Sequence, residues 1–224
     1  MELEVETKDT TALADAEVAE MAELGADGSG GYDLGLISKQ KGEWVLVTRA
    51  YSGSSLAGFA LATLERIGGT PSILVGMAAF APGEVGAEAL DAVLRDLYHR
   101  ALLAFPDEDV LLGTRILAPS GYEAFRGLKE VAPRPEHRAS GEERAWGRRL
   151  AKRFGMEGKL NDRTFVLAGT GEPPPALDYR GPLTLDLGGD AGALFEEVDA
   201  AKGDSLVVFG WAMAEDLVAD ALPS

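Results

Sequence analysis

The sequence contains no cysteine and only two histidines, His99 and His137. The lack of cysteine excludes disulfides, thiolate metal sites and cysteine nucleophiles. Two histidines are too few for a metal centre built from several imidazoles. A Ser–His–Asp arrangement is not indicated either, because neither histidine comes with a recognisable nucleophile and partner acid.

The chain is also short of positive charge and of long apolar runs. It has 21 bases against 37 acids, a formal net charge of -16 over 224 residues. A field of that sign repels nucleic acid and anionic lipid, so we expect neither as a partner. The longest apolar run, 73–82, is about half of the length that crosses a bilayer. The first residues lack the pattern of a signal peptide, so we expect a cytoplasmic protein.

What is present is the composition of an ordinary folded domain, with 46% hydrophobic and 26% charged residues. Three apolar, β-prone segments at 44–51, 56–67 and 72–81 follow one another, separated by turns rich in Gly and Ser. This punctuation predicts an antiparallel meander. The third segment is apolar throughout, so we expect a central strand covered on both faces.

Helical periodicity is clearest after the meander. A short strand at 3–7 and a helix ending near Leu24 precede it, and apolar spacing predicts a helix over 86–105 before a buried strand at 110–117. Strand, helix and strand at this spacing favour a parallel, right-handed crossover. Further elements are expected as a short helix at 122–130, a helix at 142–154, a strand at 163–168, a helix near 192–201 and a strand at 206–211.

These elements predict an α/β protein with one mixed sheet in three layers. We expect a main domain over residues 1–171 and a C-terminal extension over 172–224 that packs on the same sheet. The segment 169–175, Gly-Thr-Gly-Glu-Pro-Pro-Pro, is typical of a linker. The roughly 50 residues beyond it are marginal for a separate core.

The order strand, helix, three-strand meander, helix, strand, helix, strand resembles the GNAT superfamily of N-acyltransferases. The most telling stretch is 73–94, where an apolar strand ends in Ala81-Pro82 and a glycine-containing loop opens a helix. The resemblance covers roughly residues 2–168 and lies in layout more than in motif. It implies a GNAT-like acyl-CoA N-acyltransferase fold with a C-terminal strand and helix extension.

In that family a loop of pattern Arg/Gln-x-x-Gly-x-Gly/Ala presents backbone amides to the pyrophosphate of acetyl-CoA. Such amides and the positive end of a helix macrodipole together make an anion site. The resemblance therefore implies acetyl-CoA or another acyl-CoA as co-substrate. The implied binding residues are Phe80, Ala81, Val85, Gly86 and Ala87. The amides near the first two, supplied by a β-bulge in the strand, would polarise the thioester for attack by an amine.

The loop departs from the family pattern at three positions. With Pro82 on the usual proline, Gly86 falls on a glycine, but Val85 takes the place of the arginine or glutamine. Glu88 and Leu90 take the places of the next glycines. A carboxylate in the first helical turn suits the helix dipole without a ligand and would repel a bound pyrophosphate.

Two residues are candidates for acid–base chemistry. The family often uses a tyrosine on the helix after the fifth strand to protonate the leaving thiolate, and Tyr122 lies near the start of that helix. In strict register the family position falls on Leu128, and ordinary packing also explains Tyr122. Glu65 would act as a general base if burial raised its pKa, whereas an exposed strand carboxylate is the plain alternative.

A basic segment, residues 126–153, stands out in this acidic chain with nine bases and four acids. On the helix at 142–154, Arg144, Arg148 and Lys152 recur every fourth residue and form one ridge. The plain interpretation is intramolecular pairing with an acidic body. The alternative is a docking ridge for a phosphate-bearing or acidic ligand, including the nucleotide end of CoA.

The sequence is compatible with three functions. The first is an acyl-CoA-dependent N-acyltransferase acting on an unknown amine, either a small molecule or a protein. The second is a GNAT-shaped protein without catalysis that serves as a ligand-binding or interaction module, as Val85 and Glu88 suggest. The third is a homodimer in which the tail strand pairs across subunits.

Overall fold

The computed structural model describes residues 3–219, and within them nine strands form one mixed sheet. The strands are β1 (Glu4–Asp9), β2 (Leu46–Ser52), β3 (Ser55–Ile67), β4 (Thr70–Phe80), β5 (Val110–Ile116), β6 (Lys129–Ala132), β7 (Val166–Leu167), β8 (Leu177–Asp178) and β9 (Ser205–Ala212). The α-helices are α1 (Asp15–Ala26), α2 (Leu34–Lys41), α3 (Glu84–Ala104), α4 (Gly141–Arg153) and α5 (Ala214–Val218). The chain is thus an α/β protein with a mixed sheet.

The strand order is β1-β2-β3-β4-β8-β5-β9-β6, and β7 pairs with β9. The first four strands are antiparallel neighbours, which confirms the predicted meander. β4 and β5 are parallel and are joined through α3, as the crossover pattern predicts. They pair only from Ser72 to Val75 on β4 and from Leu111 to Thr114 on β5. Beyond that stretch β8 pairs in parallel with both strands.

The core forms around β4 and α3, where the periodicity is strongest. Every residue of β4 after Thr70 is buried, and the strand contacts both α1 and α3. An all-apolar strand is stable in this position because neither face meets water. α3 buries one stripe made of Gly86, Ala89, Leu90, Val93, Leu94, Leu97, Tyr98 and Ala101. The predicted central strand and long helix are both confirmed.

A β-bulge interrupts the pairing of β3 with β4. Leu61 pairs with Met77 and Ala62 pairs with Val75, so Gly76 is the additional residue on β4. A Cβ at Gly76 would overlap the indole of Trp44, which explains why this position is glycine. Bulges bend a strand and redirect its backbone groups. The bulge expected in this strand is present, but it lies beside Trp44 and not beside Pro82.

The helix predicted at 122–130 is wrong. Residues Pro119–Phe125 form a 3-10 helix, and Lys129–Ala132 form β6, which pairs with β9. Gly127 and Glu130 have φ of 81° and 50°, which no right-handed helix accepts. The apolar residues in this stretch therefore pack from a tight turn and an edge strand.

Other expectations are revised in the second half of the chain. The strand predicted at 163–168 is reduced to the two residues of β7, and the helix near 192–201 is two 3-10 turns, Ala191–Phe195 and Ala200–Lys202. α2 lies in a stretch where the sequence pattern predicted no helix. β9 pairs with β5 on one edge and with β6 and β7 on the other. β9 therefore has strand neighbours within the chain on both edges.

Among the described residues, no helix combines the length and apolar character that crossing a bilayer requires.

Candidate functional site

The turn after β4 leaves backbone donors exposed at the start of α3. Gly83 has φ 77° and ψ -155°, a conformation that a side chain strongly disfavours, and no side chain caps the helix. Within residues 3–219, the amides of Glu84, Val85 and Gly86 have no protein acceptor. Gly83, Glu84 and Val85 are exposed. The turn therefore retains the unpaired donors expected at a helix N-terminus.

Gly86 has a structural explanation that needs no ligand. A Cβ at this position would overlap the carbonyl oxygen of Ala81, because the first turn of α3 lies directly against the end of β4. The amide of Ala87 donates to the oxygen of Gly83 at 3.2 Å, so Ala87 is already part of the helical ladder. The match of Gly86 to the family glycine is therefore also explained by packing.

Phe80 and Ala81 are engaged by protein groups. The Ala81 amide donates to the oxygen of Ala57 at 2.8 Å, within the pairing of the meander. The oxygen of Phe80 accepts from Nη2 of Arg180 at 3.2 Å, while Nη1 of Arg180 donates to the oxygen of Asp27 at 2.7 Å. Arg180 thus ties the end of β4 to the end of α1.

The space between β4 and β5 is filled by the tail of the chain. Leu177 pairs with Ala78 on one side and with Ile116 on the other, and the Ala78 amide donates to the oxygen of Ala176 at 3.0 Å. The Tyr32 hydroxyl donates to the oxygen of Ala176 at 2.7 Å and accepts from its amide at 3.2 Å. Burial raises the pKa of Tyr32, so this hydroxyl remains a neutral donor.

Tyr122 is fully buried, and its hydroxyl donates to the oxygen of Pro133 at 2.8 Å. Burial raises the pKa of Tyr122, which disfavours loss of its proton. The hydroxyl fixes the loop that follows β6, and it is not exposed to solvent. Packing and one hydrogen bond account for this residue.

Glu65 lies far from the turn after β4. It pairs with Ser72 at the start of β4 in the sheet register. At about 3.3 Å per residue, the strand between Ser72 and Phe80 separates Glu65 from the turn by roughly 25 Å. Its carboxylate accepts from Nε of Arg153 at 2.6 Å. The structure therefore does not bring the two acid–base candidates and the turn into one site.

The basic segment is used largely for pairing within the chain. Five of its bases form ion pairs: Arg126 with Asp91, Arg134 with Glu143, Arg148 with Asp162, Lys152 with Glu157 and Arg153 with Glu65. Arg144 donates to the oxygen of Ser140 at the start of α4. The plain interpretation of the ridge is confirmed for Arg148 and Lys152, because both face acids of the loop after α4.

A cavity of about 370 Å³ lies elsewhere, between α2, the end of α4 and the segment 172–175. Its wall includes Trp44, Arg115, Arg153 and Phe154, together with Pro173, Pro174 and Pro175. This volume is at the lower end of the range of small-molecule sites, roughly 300–1,000 Å³. The proline segment predicted as a linker therefore forms one wall of this cavity.

Arg115 is the most unusual group in that wall. It lies on β5, is only 4% exposed, and its side chain makes no hydrogen bond or ion pair with any residue of 3–219. The guanidinium lies over the ring of Phe154, 4.9 Å from its centroid. Burial lowers the pKa of Arg115 to about 10, so the group is still charged at neutral pH. Buried charges are normally paired, which makes this one a candidate binding group.

The sequence contains a signal for Arg115. The strand 110–117 reads as buried, and Arg115 is the single charge in it. A charge within a buried strand indicates a partner or a site. The other members of the wall, Trp44 and Phe154, come from separate elements, and only the fold brings them together.

Comparisons with known proteins are sparse. No protein-family model matches the sequence, and no curated protein matches it significantly. The Thermus thermophilus protein TTHA1254, in its wild-type form and as a point mutant, is 22% identical over 53% of this chain and 81% of its own, with a TM-score of 0.37. An Enterococcus faecalis protein described as a conserved protein of unknown function and probable N-acyltransferase is 13% identical over 58% of this chain and 33% of its own, with a TM-score of 0.39.

Superposition scores this low do not establish a common fold. The mixed α/β sheet described above therefore stands on the strand pairings of this chain alone.

Proposed function

We propose that this protein binds a small ligand on a GNAT-like architecture and does not transfer acyl groups. The observation that supports this proposal is the position of β8. An acyl thioester would need free amides near Phe80 and Ala81, whereas Leu177 and Asp178 pair with β4 at Ala78 and Ala79.

The inserted segment is fixed by burial and by polar contacts, which argues against a loose lid. Leu177 is 2% exposed, and burying a leucine contributes about 1.5–3 kcal/mol. Asp178 is 3% exposed and accepts from the amide of Gly30 at 3.0 Å. Displacing the segment would leave the Tyr32 hydroxyl and the Ala78 amide without their partners, a further cost of about 1–3 kcal/mol for each buried group.

Calorimetry and a thiol-release assay test this proposal directly. We expect no heat with millimolar acetyl-CoA, longer acyl-CoAs or free CoA, and no thiol release above the enzyme-free rate with a panel of primary amines. An active N-acetyltransferase in the same assay is the positive control. Acyl transfer to any amine in the panel would contradict the proposal.

A second candidate is an acyl-CoA-dependent N-acyltransferase, which the unpaired amides of Glu84, Val85 and Gly86 favour. In this case the pyrophosphate of acyl-CoA would accept from these amides, and the positive end of α3 would stabilise it. The carboxylates of Glu84 and Glu88 would oppose that binding through like-charge repulsion.

The second candidate has its own test. If CoA binds at this turn, Glu88→Gln removes a nearby negative charge and tightens CoA binding severalfold. Glu23→Gln, at an exposed position on α1, is the matched control and should leave the affinity unchanged. No CoA binding by either variant, or an equal effect of the two, rules this candidate out.

A further inference from the structure

The two buried arginines of the sheet provide an internal comparison. Arg49 is 2% exposed and forms ion pairs with Glu6 at 2.7 Å and with Glu17 at 2.5 Å. Arg115 is 4% exposed and has no carboxylate partner in the described part of the chain. The Nε atoms of both arginines are buried without a hydrogen bond, so the ion pairs are what distinguishes them. A buried guanidinium without an anion is strongly unfavourable. Arg115 therefore lacks the carboxylate partners that Arg49 has.

The missing partner has room beside the guanidinium, because Arg115 lines the cavity of about 370 Å³. Its backbone is fixed by the pairing of β5 with β9, where Arg115 faces Val207. The guanidinium is held over Phe154 at 4.9 Å. A donor fork held in this way loses little conformational entropy when it binds an oxyanion.

The charges around the cavity indicate how many negative charges the ligand should carry. Arg153 is neutralised by Glu65 at 2.6 Å, and it lies over Trp44, 4.9 Å from the ring centroid. Lys39 at the rim is exposed, as are the two acids there, Glu43 and Glu172. Their fields are screened by solvent. Among the described residues that line the cavity, Arg115 carries the one desolvated and uncompensated charge, which favours a monoanion.

The rest of the wall favours an apolar body on that anion. Trp44 is 5% exposed, and its Nε1 already donates to Oε1 of Gln40 at 3.0 Å, so it offers a ring and not a donor. Phe154 lies 6.2 Å from Trp44 between ring centroids. The three prolines at 173–175 also line the cavity, and they offer it no backbone donor.

We propose that this cavity binds a small organic carboxylic acid, with the carboxylate on the guanidinium of Arg115 and the apolar part against Trp44 and Phe154. This inference rests on the proposed ligand-binding function and adds its site and ligand class. Arg is suited to the task because its planar fork matches the two oxygens of a carboxylate. The chain segment that fills the space between β4 and β5 is continuous with residues 172–175, which form part of the cavity wall. The same segment therefore occupies the expected acyl-CoA site and helps to form the cavity over Arg115.

The test uses the full chain and four carboxylates, namely formate, acetate, benzoate and cinnamate, each compared with its uncharged amide. Thermal shift and calorimetry at millimolar concentrations measure binding, and phenyl phosphate and inorganic phosphate form a separate arm. We expect at least one carboxylate to bind at least about tenfold more tightly than its amide. A hydrogen bond to a charged group contributes more binding free energy than the same bond to a neutral group, and the difference corresponds to about this factor. Neither phosphate should exceed the best carboxylate.

Three variants assign the effect to Arg115. Arg115→Met removes the charge and should abolish the preference for carboxylate over amide, while Arg115→Lys keeps the charge without the fork and should retain part of it. Arg100→Met makes the same change on α3, where Arg100 pairs with Asp96, and should behave as the unaltered protein. Because all three are compared through the acid-to-amide ratio, a general change in stability does not imitate the result.

The proposal is overturned if no carboxylate is preferred over its amide, or if Arg115→Met keeps the preference. Tighter binding of phenyl phosphate than of every carboxylate also overturns it and assigns the cavity to phosphate esters. Failure here leaves the absence of acyl transfer untouched. Thiol release from acetyl-CoA, by contrast, would refute the proposed function whatever the carboxylates do.

Discussion

The amide of Ala78 donates a 3.0 Å hydrogen bond to the carbonyl oxygen of Ala176, and this bond ties the tail to the central strand β4. Ala78 belongs to the stretch of β4 that has separated from β5, where the sheet would otherwise expose an unpaired edge. Pairing that edge satisfies backbone donors that would be costly to bury alone. The tail is therefore part of the sheet, and its removal should have consequences for stability.

We predict that Leu177→Ala lowers the free energy of unfolding by about 2–4 kcal/mol, because it opens a cavity at the centre of the sheet. Denaturation in urea followed by circular dichroism measures the change. Leu103→Ala, on the exposed side of α3, is the control and should stay within about 0.5 kcal/mol of the unaltered protein. Equal effects of the two variants would show that β8 does not stabilise the sheet.

We predict that one substitution has opposite effects at the two buried arginines. Arg115→Met removes an unpaired buried charge and should raise the free energy of unfolding by about 1–3 kcal/mol. Arg49→Met leaves Glu17 without one of its cations and should lower it by a similar amount.

Thermal unfolding of the two variants and the unaltered protein, measured in buffer free of carboxylates, gives the sign of each change in stability. A loss of stability in Arg115→Met comparable to that in Arg49→Met would mean that Arg115 has a structural role. A gain in stability at the expense of ligand binding is the usual signature of a functional site.

The sequence predicted the elements whose periodicity is local and failed where a partner lies far along the chain. α3 and β4 were predicted because their burial patterns repeat within each element. The prediction of a helix at 122–130 was wrong because Gly127 and Glu130 adopt positive φ. Positive φ is uncommon for glutamate, so the sequence gives no sign of it at Glu130. β8 has only Leu177 and Asp178, too few residues to show a period, and its pairing depends on the separation of two other strands.

In the candidate site, too, residues close in sequence could be predicted and residues brought together by the fold could not. The resemblance implied a binding site at Val85 and Gly86, which are adjacent in sequence, and both residues lie at the N-terminus of α3. The cavity over Arg115 draws its walls from α2, β5, α4 and the segment 172–175, so no local pattern contains it. Arg115, the single charge in the strand 110–117, is the one feature of the sequence that indicates this cavity.

The pH dependence of stability should report on Glu17. The hydrogen bond from Lys8 lowers the pKa of Glu17 from 4.5 to about 2, with further contributions from the Ala14 amide and from Arg49. A lowered pKa in the folded state stabilises the protein above the ordinary pKa and loses that contribution as the carboxylate is protonated. The stabilisation should therefore be complete above about pH 4.5 and disappear towards pH 2.

Melting temperatures of the unaltered protein and Glu17→Gln, measured across that window, check this expectation. The difference between the two proteins should be largest above pH 4.5 and should narrow as the pH approaches 2. Glu23→Gln removes an exposed acid from the same helix and should not show this narrowing. A constant difference for Glu17→Gln would mean that its ionisation is not linked to folding.

Tyr122→Phe separates the structural and catalytic interpretations of this residue. The hydroxyl donates to the oxygen of Pro133 at 2.8 Å in a fully buried setting, so its removal leaves a buried acceptor unpaired. We predict a loss of about 1–2 kcal/mol in the free energy of unfolding and an unchanged affinity for carboxylates. Chemical denaturation and calorimetry measure the two quantities on the same preparation.

A general acid would behave in the opposite way, because Tyr122→Phe would then leave stability intact and abolish a thiol release that the unaltered protein shows. The burial of the hydroxyl and its hydrogen bond to the chain make the first outcome the expected one.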